Sequence, residues 1–152
     1  MSKKAIDKAT FVDQVNSQKI SDLQINEETI VCGPTTTLHK VTELFVEMKM
    51  GSVIVMDTKD PVKRPLGIFT ERDLVRCVAK GTLDLFTETV SNHMTPNPKS
   101  VLPEVTLIEA MKTMRAGNFR HLVITNTQGA ISGVISIRDI MLHLLDELNR
   151  AK

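Results

Sequence analysis

Gly67-Ile68-Phe69-Thr70-Glu71-Arg72-Asp73 and Gly133-Val134-Ile135-Ser136-Ile137-Arg138-Asp139 are one sentence written twice. Each opens on a glycine, runs through two apolar residues, and closes on a hydroxyl, any residue, arginine and aspartate. The pair lies 139 − 73 = 66 residues apart. Upstream, Thr37-Leu38 through Val55 aligns without a gap against Thr106-Leu107 through Ile124, at an offset of 106 − 37 = 69. The first copy therefore carries 69 − 66 = 3 extra residues between its two apolar runs. A repeat of this length marks one supersecondary unit used twice, each too small to bury its own apolar face. The seam between the copies is then the natural place for a ligand.

Within each copy the periodicity predicts β-α-β-β-α. In the first, Ile30-Val31 reads as a short strand and Thr35-Thr36-Thr37 offers hydroxyls to cap a helix. Leu38, Val41, Leu44, Phe45 and Met48 recur at the spacing of a helix face. Ser52-Val53-Ile54-Val55-Met56 is a continuous β-rich run, as in strands buried on both sides. Asp57 to Pro65 reads as an exposed loop with Lys63 and Arg64 solvated, Gly67-Ile68-Phe69 as a strand, and Leu74, Val75 and Val78 as a helix stripe ending near Gly81. The second copy repeats the plan, with Leu107, Ala110, Met111 and Met114 on its first helix. His121-Leu122-Val123-Ile124 and Ile131 to Ile135 are its strands, and Ile140, Met141, Leu144 and Leu145 are expected to face inward from the last helix. Two such ribbons must pair face to face to gain a core, giving a mixed α/β (α+β) fold with an internal pseudo-twofold. The expected divisions are 1–19, a helical leader with the stripe Phe11, Val12 and Val15 flanked by Lys3, Lys4 and Lys8; 20–83, the first unit; and 84–152, the second.

Composition narrows the function. The chain has 152 residues, 41% apolar and 24% charged, which is globular. A net charge of +1 leaves no electrostatic footprint for nucleic acid, and five Phe without Trp or Tyr supply few stacking platforms. No apolar run is long enough for a membrane span, and Met1 to Asp7 lacks a signal-peptide core, so a cytoplasmic protein is expected. Cys32 and Cys77 read as reduced, buried thiols. No phosphate-binding Gly-Lys loop, nucleophile elbow or His-Glu-x-x-His occurs, and His39, His93 and His143 show no ligand spacing, so no enzyme and no metal site is expected.

These residues resemble the cystathionine-β-synthase (CBS) domain family. Both glycine-to-aspartate endings carry the resemblance, together with Val90-Ser91-Asn92-His93-Met94-Thr95-Pro96-Asn97-Pro98, which is similar to the lead-in of a CBS unit. It covers about residues 20–148. The resemblance implies a stand-alone regulatory pair that binds AMP, ADP, ATP or S-adenosylmethionine between its units, performs no chemistry on the ligand, and associates into flat homodimers that modulate a partner protein.

It also implies residue roles. Asp73 and Asp139 would hold ribose hydroxyls, assisted by Thr70 and Ser136, since an ionised carboxylate accepts from two adjacent hydroxyls. The same spacing is a capping box that needs no ligand, and both roles can coexist. Arg120 and His121 match the position that reaches phosphate; their counterparts by offset are Gly51 and Ser52, so the Asp139 site is expected to be the cationic and better one. Thr36, Met50, Gly51 and Ser52 would line its far wall, with Met50 equally readable as core. Arg72 and Arg138, each before its aspartate, serve phosphate, the dimer interface or a surface ion pair. A docking module without ligand, and nucleic-acid binding through the basic leader, are the other readings.

Overall fold

A threonine hydroxyl starts the first helix of each copy, and the rest of the unit follows in the same order in both. The structure is a computed structural model and describes residues 7–23 and 29–150; Lys3 and Lys4 of the leader lie outside them. After α1 (Lys8–Ser17), the first copy runs β1 (Val31–Cys32), α2 (Leu38–Met48), β2 (Ser52–Met56), β3 (Pro65–Thr70) and α3 (Glu71–Ala79). A short β4 (Thr95–Pro96) precedes the second copy: β5 (Ser100–Val101), α4 (Leu107–Gly117), β6 (His121–Thr125), β7 (Ile131–Ser136) and α5 (Ile137–Arg150). Thr37 and Thr106 accept from the backbone N–H of Lys40 and Glu109, each at 3.2 Å. Lys49 and Asn118, 69 residues apart, end those helices in the left-handed conformation at φ 52° and 54°. In each sheet the short strand pairs parallel to the middle one and the hairpin is antiparallel, with the same bulge at Val55/Met56 and Ile124/Thr125.

The middle strands explain the pairing of the halves. All five residues of β2 are buried. Val53 and Val55 pack into the first copy's own core with Leu38, Val41, Phe45 and Phe69. Ile54 and Met56 point the other way and meet Val123 of β6, with Ile68, Ile131 and Val134. On β6, Leu122 and Ile124 face α4 and α5. Alternate residues thus serve two cores, which is why both strands read as unbroken apolar runs. Ile54 and Val123 are fully buried, worth about 1.5–3 kcal/mol each in transfer terms.

The lead-in segments are exchanged. Residues 18–23 dock on the second copy: the Ile20 N–H donates to Val105 O and Leu107 N–H to Gln18 O, both at 2.9 Å, and Ile20 and Leu23 enter the second copy's core. The linker returns the gesture, with Leu38 N–H donating to Glu88 O (2.9 Å), Val90 N–H to Thr36 O (2.8 Å), and Val90 inside the first copy's core. β4 then pairs with β3 at Gly67↔Pro96. Here a Cβ on Gly67 would collide with the Met94 sulfur and lie 2.9 Å from the Thr95 carbonyl oxygen, so the crossing requires glycine. The three extra residues of the first copy belong to a loop that crosses as well. The Asp60 carboxylate accepts from Val62 N–H (2.9 Å) and Arg64 Nε (3.0 Å), and Lys63 O accepts from Ile131 N–H of β7 at 3.1 Å. The Arg64 guanidinium holds the Asp60 carboxyl down to about 2. Arg64 is thus engaged rather than simply solvated.

The last helices depart from expectation. Ile140 is buried and Leu144 packs on the core, but Met141 and Leu145 are 55% and 51% exposed. Residues one position on lie about 100° round the helix, so α5 carries two apolar stripes and only one meets the core. On α3, Leu74 packs inward while Val75 and Val78 are exposed. α1 packs against α4 with no residue fully buried, and Val12 stays 45% exposed. Cys77 is buried and Cys32 partly so; both are free.

Candidate functional site

At the end of β3 the chain turns directly into α3, and Thr70 and Asp73 close the turn. The Asp73 carboxylate accepts from Thr70 N–H (2.9 Å) and Thr70 Oγ (3.0 Å) through Oδ2, while Asp73 N–H donates to Thr70 Oγ at 3.4 Å. Ser136 and Asp139 repeat the arrangement at 2.8 and 3.1 Å. Both hydroxyl–aspartate pairs are therefore capping boxes, each worth about 0.5–2 kcal/mol to its helix. In Asp73 the cap uses one oxygen. The other, Oδ1, lies 3.6 Å from the Arg76 guanidinium.

A cavity of about 440 Å³ opens on this turn. One wall is first-copy: Thr70, Glu71, Arg72, Asp73 and Arg76, with Gly51 beside them. The linker contributes Thr95, Pro98 and Lys99, and the turn from α4 into β6 supplies Gly117 to His121. Ile68 and Val123, both buried, form an apolar floor. Four permanent cations (Arg72, Arg76, Lys99, Arg120) thus face two carboxylates (Glu71, Asp73), an excess that suits an anionic ligand. Burial pushes the His121 imidazole below its ordinary 6.5; Asp139, Glu71 and Asp73 oppose that, and Arg120 adds to it.

A family model for the CBS domain matches residues 20–80 and 90–146. The chain belongs to the CBS domain family. A CBS domain protein of Pyrobaculum aerophilum, solved in complex with AMP, is 30% identical, with a TM-score of 0.75 over 86% of this chain and 98% of that one. An uncharacterized 17.7 kDa protein of Acidianus ambivalens is 31% identical over 138 residues, 91% of this chain and 75% of its own length. A CBS domain-containing protein of Arabidopsis thaliana is 31% identical over 112 residues, and this CBS pair spans only 20% of it.

The CBS pair places the expected residues differently from the offset arithmetic. Arg120 and His121 line the cleft of Thr70 and Asp73, which was expected to lack cations, and Gly51 lies there too. The main chain is alike at the two positions. Arg120 O accepts from Ile137 N–H at 2.9 Å, fixing the start of its own α5, and Gly51 O does the same for Glu71 N–H at 3.0 Å. Arg120 and His121 line the same cavity as Gly51, and Asp139 of their own copy is the first carboxylate acting on His121. The expectation joined Arg120 and His121 to Asp139; they line the cleft of Thr70 and Asp73, and Asp139 acts on His121 as well.

Thr36 sits in the turn before α2, its N–H donating to Gly33 O at 3.2 Å. Met50 packs on the first copy's core, its structural reading, and Ser52 is buried opposite Thr70 in the sheet. None of these three lines the cavity. Arg72 lines it; Arg138 is exposed beside Asp139. Arg76, Lys99 and Glu71 were not anticipated. Arg76 could have been found as the residue one turn beyond Asp73, whereas Lys99 arrives through the linker and carries no local signal. The remaining histidines are engaged elsewhere: His93 with Glu88 at 2.9 Å, His143 with Gln18 at 3.0 Å, and His39 stacked on Phe86. Among the described residues no group of three or more His, Cys, Asp or Glu could hold a metal, and no helix is long and apolar enough to cross a membrane.

Proposed function

We propose that this CBS pair is a regulatory module that binds an adenosine-containing ligand in the cleft at Thr70 and Asp73. The observation that carries the reading is one cleft where an uncapped carboxylate oxygen, an apolar floor and four cations from three segments meet. Asp73 Oδ1 accepts from the two ribose hydroxyls, with Thr70 beside it. The base rests on Ile68 and Val123, and Arg120, Lys99 and Arg72 take the 5′ phosphate. Excess positive charge favours AMP, ADP or ATP over S-adenosylmethionine, whose sulfonium is itself a cation. The AMP complex of the Pyrobaculum aerophilum relative supports the ligand class.

Ser136 and Asp139 form the counterpart turn, and a second cleft there would draw on Arg138 with Thr36, Met50 and Ser52 of the first copy. The ligand is bound and released unchanged. Exposed apolar side chains on both last helices, Val75 and Val78 on α3 and Met141, Leu145 and Leu148 on α5, with Val75 and Met141 at equivalent positions, suit an isologous homodimer. Occupancy of the seam shifts the dimer toward one arrangement by its difference in affinity, and a partner protein reads that difference. The free thiols fit the reducing cytoplasm.

A second reading, a docking module without ligand, draws on both aspartates being satisfied as caps. Calorimetric titration of AMP, ADP, ATP and S-adenosylmethionine tests the two. Nucleotide binding ahead of S-adenosylmethionine supports the first; no heat and no change in melting temperature across the panel supports the second.

A further inference from the structure

We propose that His121 sets the cleft's preference between phosphorylated and unphosphorylated adenosine, by taking up a proton when an anionic 5′ group enters. The inference rests on the adenosine reading above and concerns a single side chain. His121 begins β6, pairs in the sheet with Ser136, and lines the cleft that holds Thr70 and Asp73. Its counterpart by offset is Ser52 (121 − 69 = 52), so this device exists at one end of the seam alone.

Charged groups face the imidazole from every neighbouring element. Asp139 acts on it from α5, Glu71 and Asp73 from α3, and Arg120 from the adjoining turn. Lys99 of the linker and Arg72 and Arg76 of α3 share the same cavity. Histidine is the side-chain type whose ordinary titration lies nearest neutrality. His121 is therefore the one cavity-lining side chain whose charge can change near neutrality.

In the free cleft, burial, with Arg120 adding to it, pushes the imidazole below its ordinary 6.5 against the pull of three carboxylates. An anion placed among Arg120, Lys99 and Arg72 cancels the cationic part of that field. The balance then tips toward imidazolium, which becomes an additional donor to the anion. Adenosine brings no charge and leaves the ring as it was. By linkage, affinity for the phosphorylated ligand rises as pH falls through the window between the free and occupied titrations, by at most about tenfold per pH unit for one proton. Affinity for adenosine stays level, so selectivity follows pH.

The test uses adenosine and adenosine 5′-sulfate, whose single negative charge does not itself titrate near neutrality. Histidine ring signals of the whole chain are followed by NMR against pH, free and saturated with each probe, with His121→Gln identifying the His121 signal. The expected result is a midpoint raised by about one pH unit with the sulfate and unmoved by adenosine. Sulfate binding that perturbs the Thr70 and Asp73 amides while leaving the His121 midpoint in place overturns the proton uptake but spares the adenosine reading. Failure of both probes to perturb any cleft residue overturns the two together. Since the primary readout is on the wild-type chain, a poorly folding His121→Gln variant does not decide the outcome; the other three histidines can be assigned by their own substitutions.

Discussion

Asp73 offers the sharpest perturbation, because its two oxygens have separable duties. Oδ2 caps α3 through Thr70, and Oδ1 faces the cleft with Arg76 at 3.6 Å. Asp73→Ala removes both. The lost cap costs about 0.5–2 kcal/mol of stability, and the lost charged acceptor costs about 1.5–3 kcal/mol of binding, or about 10- to 150-fold in Kd. Thr70→Ala separates the two effects, since it takes away the hydroxyl of the cap and leaves the carboxylate in place. It should lower the denaturation midpoint comparably while weakening AMP less. Asp139→Ala supplies the second comparison and should leave the cationic cleft close to wild type. Calorimetric titration with AMP, beside urea unfolding of each variant, reads all three. The reasoning is refuted if Asp73→Ala binds AMP as wild type does. It is equally refuted if Asp139→Ala is the variant that loses the nucleotide, which would return the ligand to the less cationic end of the seam.

Gly67→Ala should destabilise the chain by about 1–3 kcal/mol, measured as a shift in urea midpoint, because the added methyl meets Met94 and the Thr95 carbonyl. Acidification should weaken the fold through His121. Its folded titration lies below the ordinary 6.5, so the unfolded chain binds the extra proton, and stability is full above about pH 6.5 and falls as pH drops through it toward the folded value; His121→Gln should flatten that part of the curve in urea unfolding at stepped pH. Val75→Asp combined with Met141→Asp should convert the proposed dimer to monomer in sedimentation velocity without lowering the unfolding midpoint by more than about 0.5 kcal/mol, and a wild-type chain that sediments as monomer would dismiss the homodimer.

Much of the fold was legible because the relevant signals are local. The capping threonines, the helix faces from Leu38 and Leu107, and the double burial of Ser52–Met56 each depend on spacing along one element. Burial on both faces even implied the seam, since a strand of a two-helix ribbon has only one face to give its own core. What could not be read was direction across the seam. Met141 and Ile140 are equally apolar and adjacent, and periodicity gives no means of telling which stripe meets the core. Ile20 and Val90 each enter the opposite copy's core, although each stands at the head of its own.

The same indifference to chain order decided the site. Alignment of Arg120 with Gly51 is correct for the main chain, whose carbonyls at these positions accept from Ile137 and Glu71 in like fashion. Both positions line the cleft at Thr70 and Asp73, one as bare main chain and the other bringing a guanidinium. In a duplicated fold packed about a twofold, residues at the axis-facing strand starts lie near both turns at once. Copy two carries Arg120 and His121 and copy one Gly51 and Ser52, so the positive charge is delivered to copy one's aspartate. The cleft best equipped for an anion is thereby the one whose own strand start is bare, and a chain with these four residues exchanged between copies should bind its nucleotide at Asp139 instead.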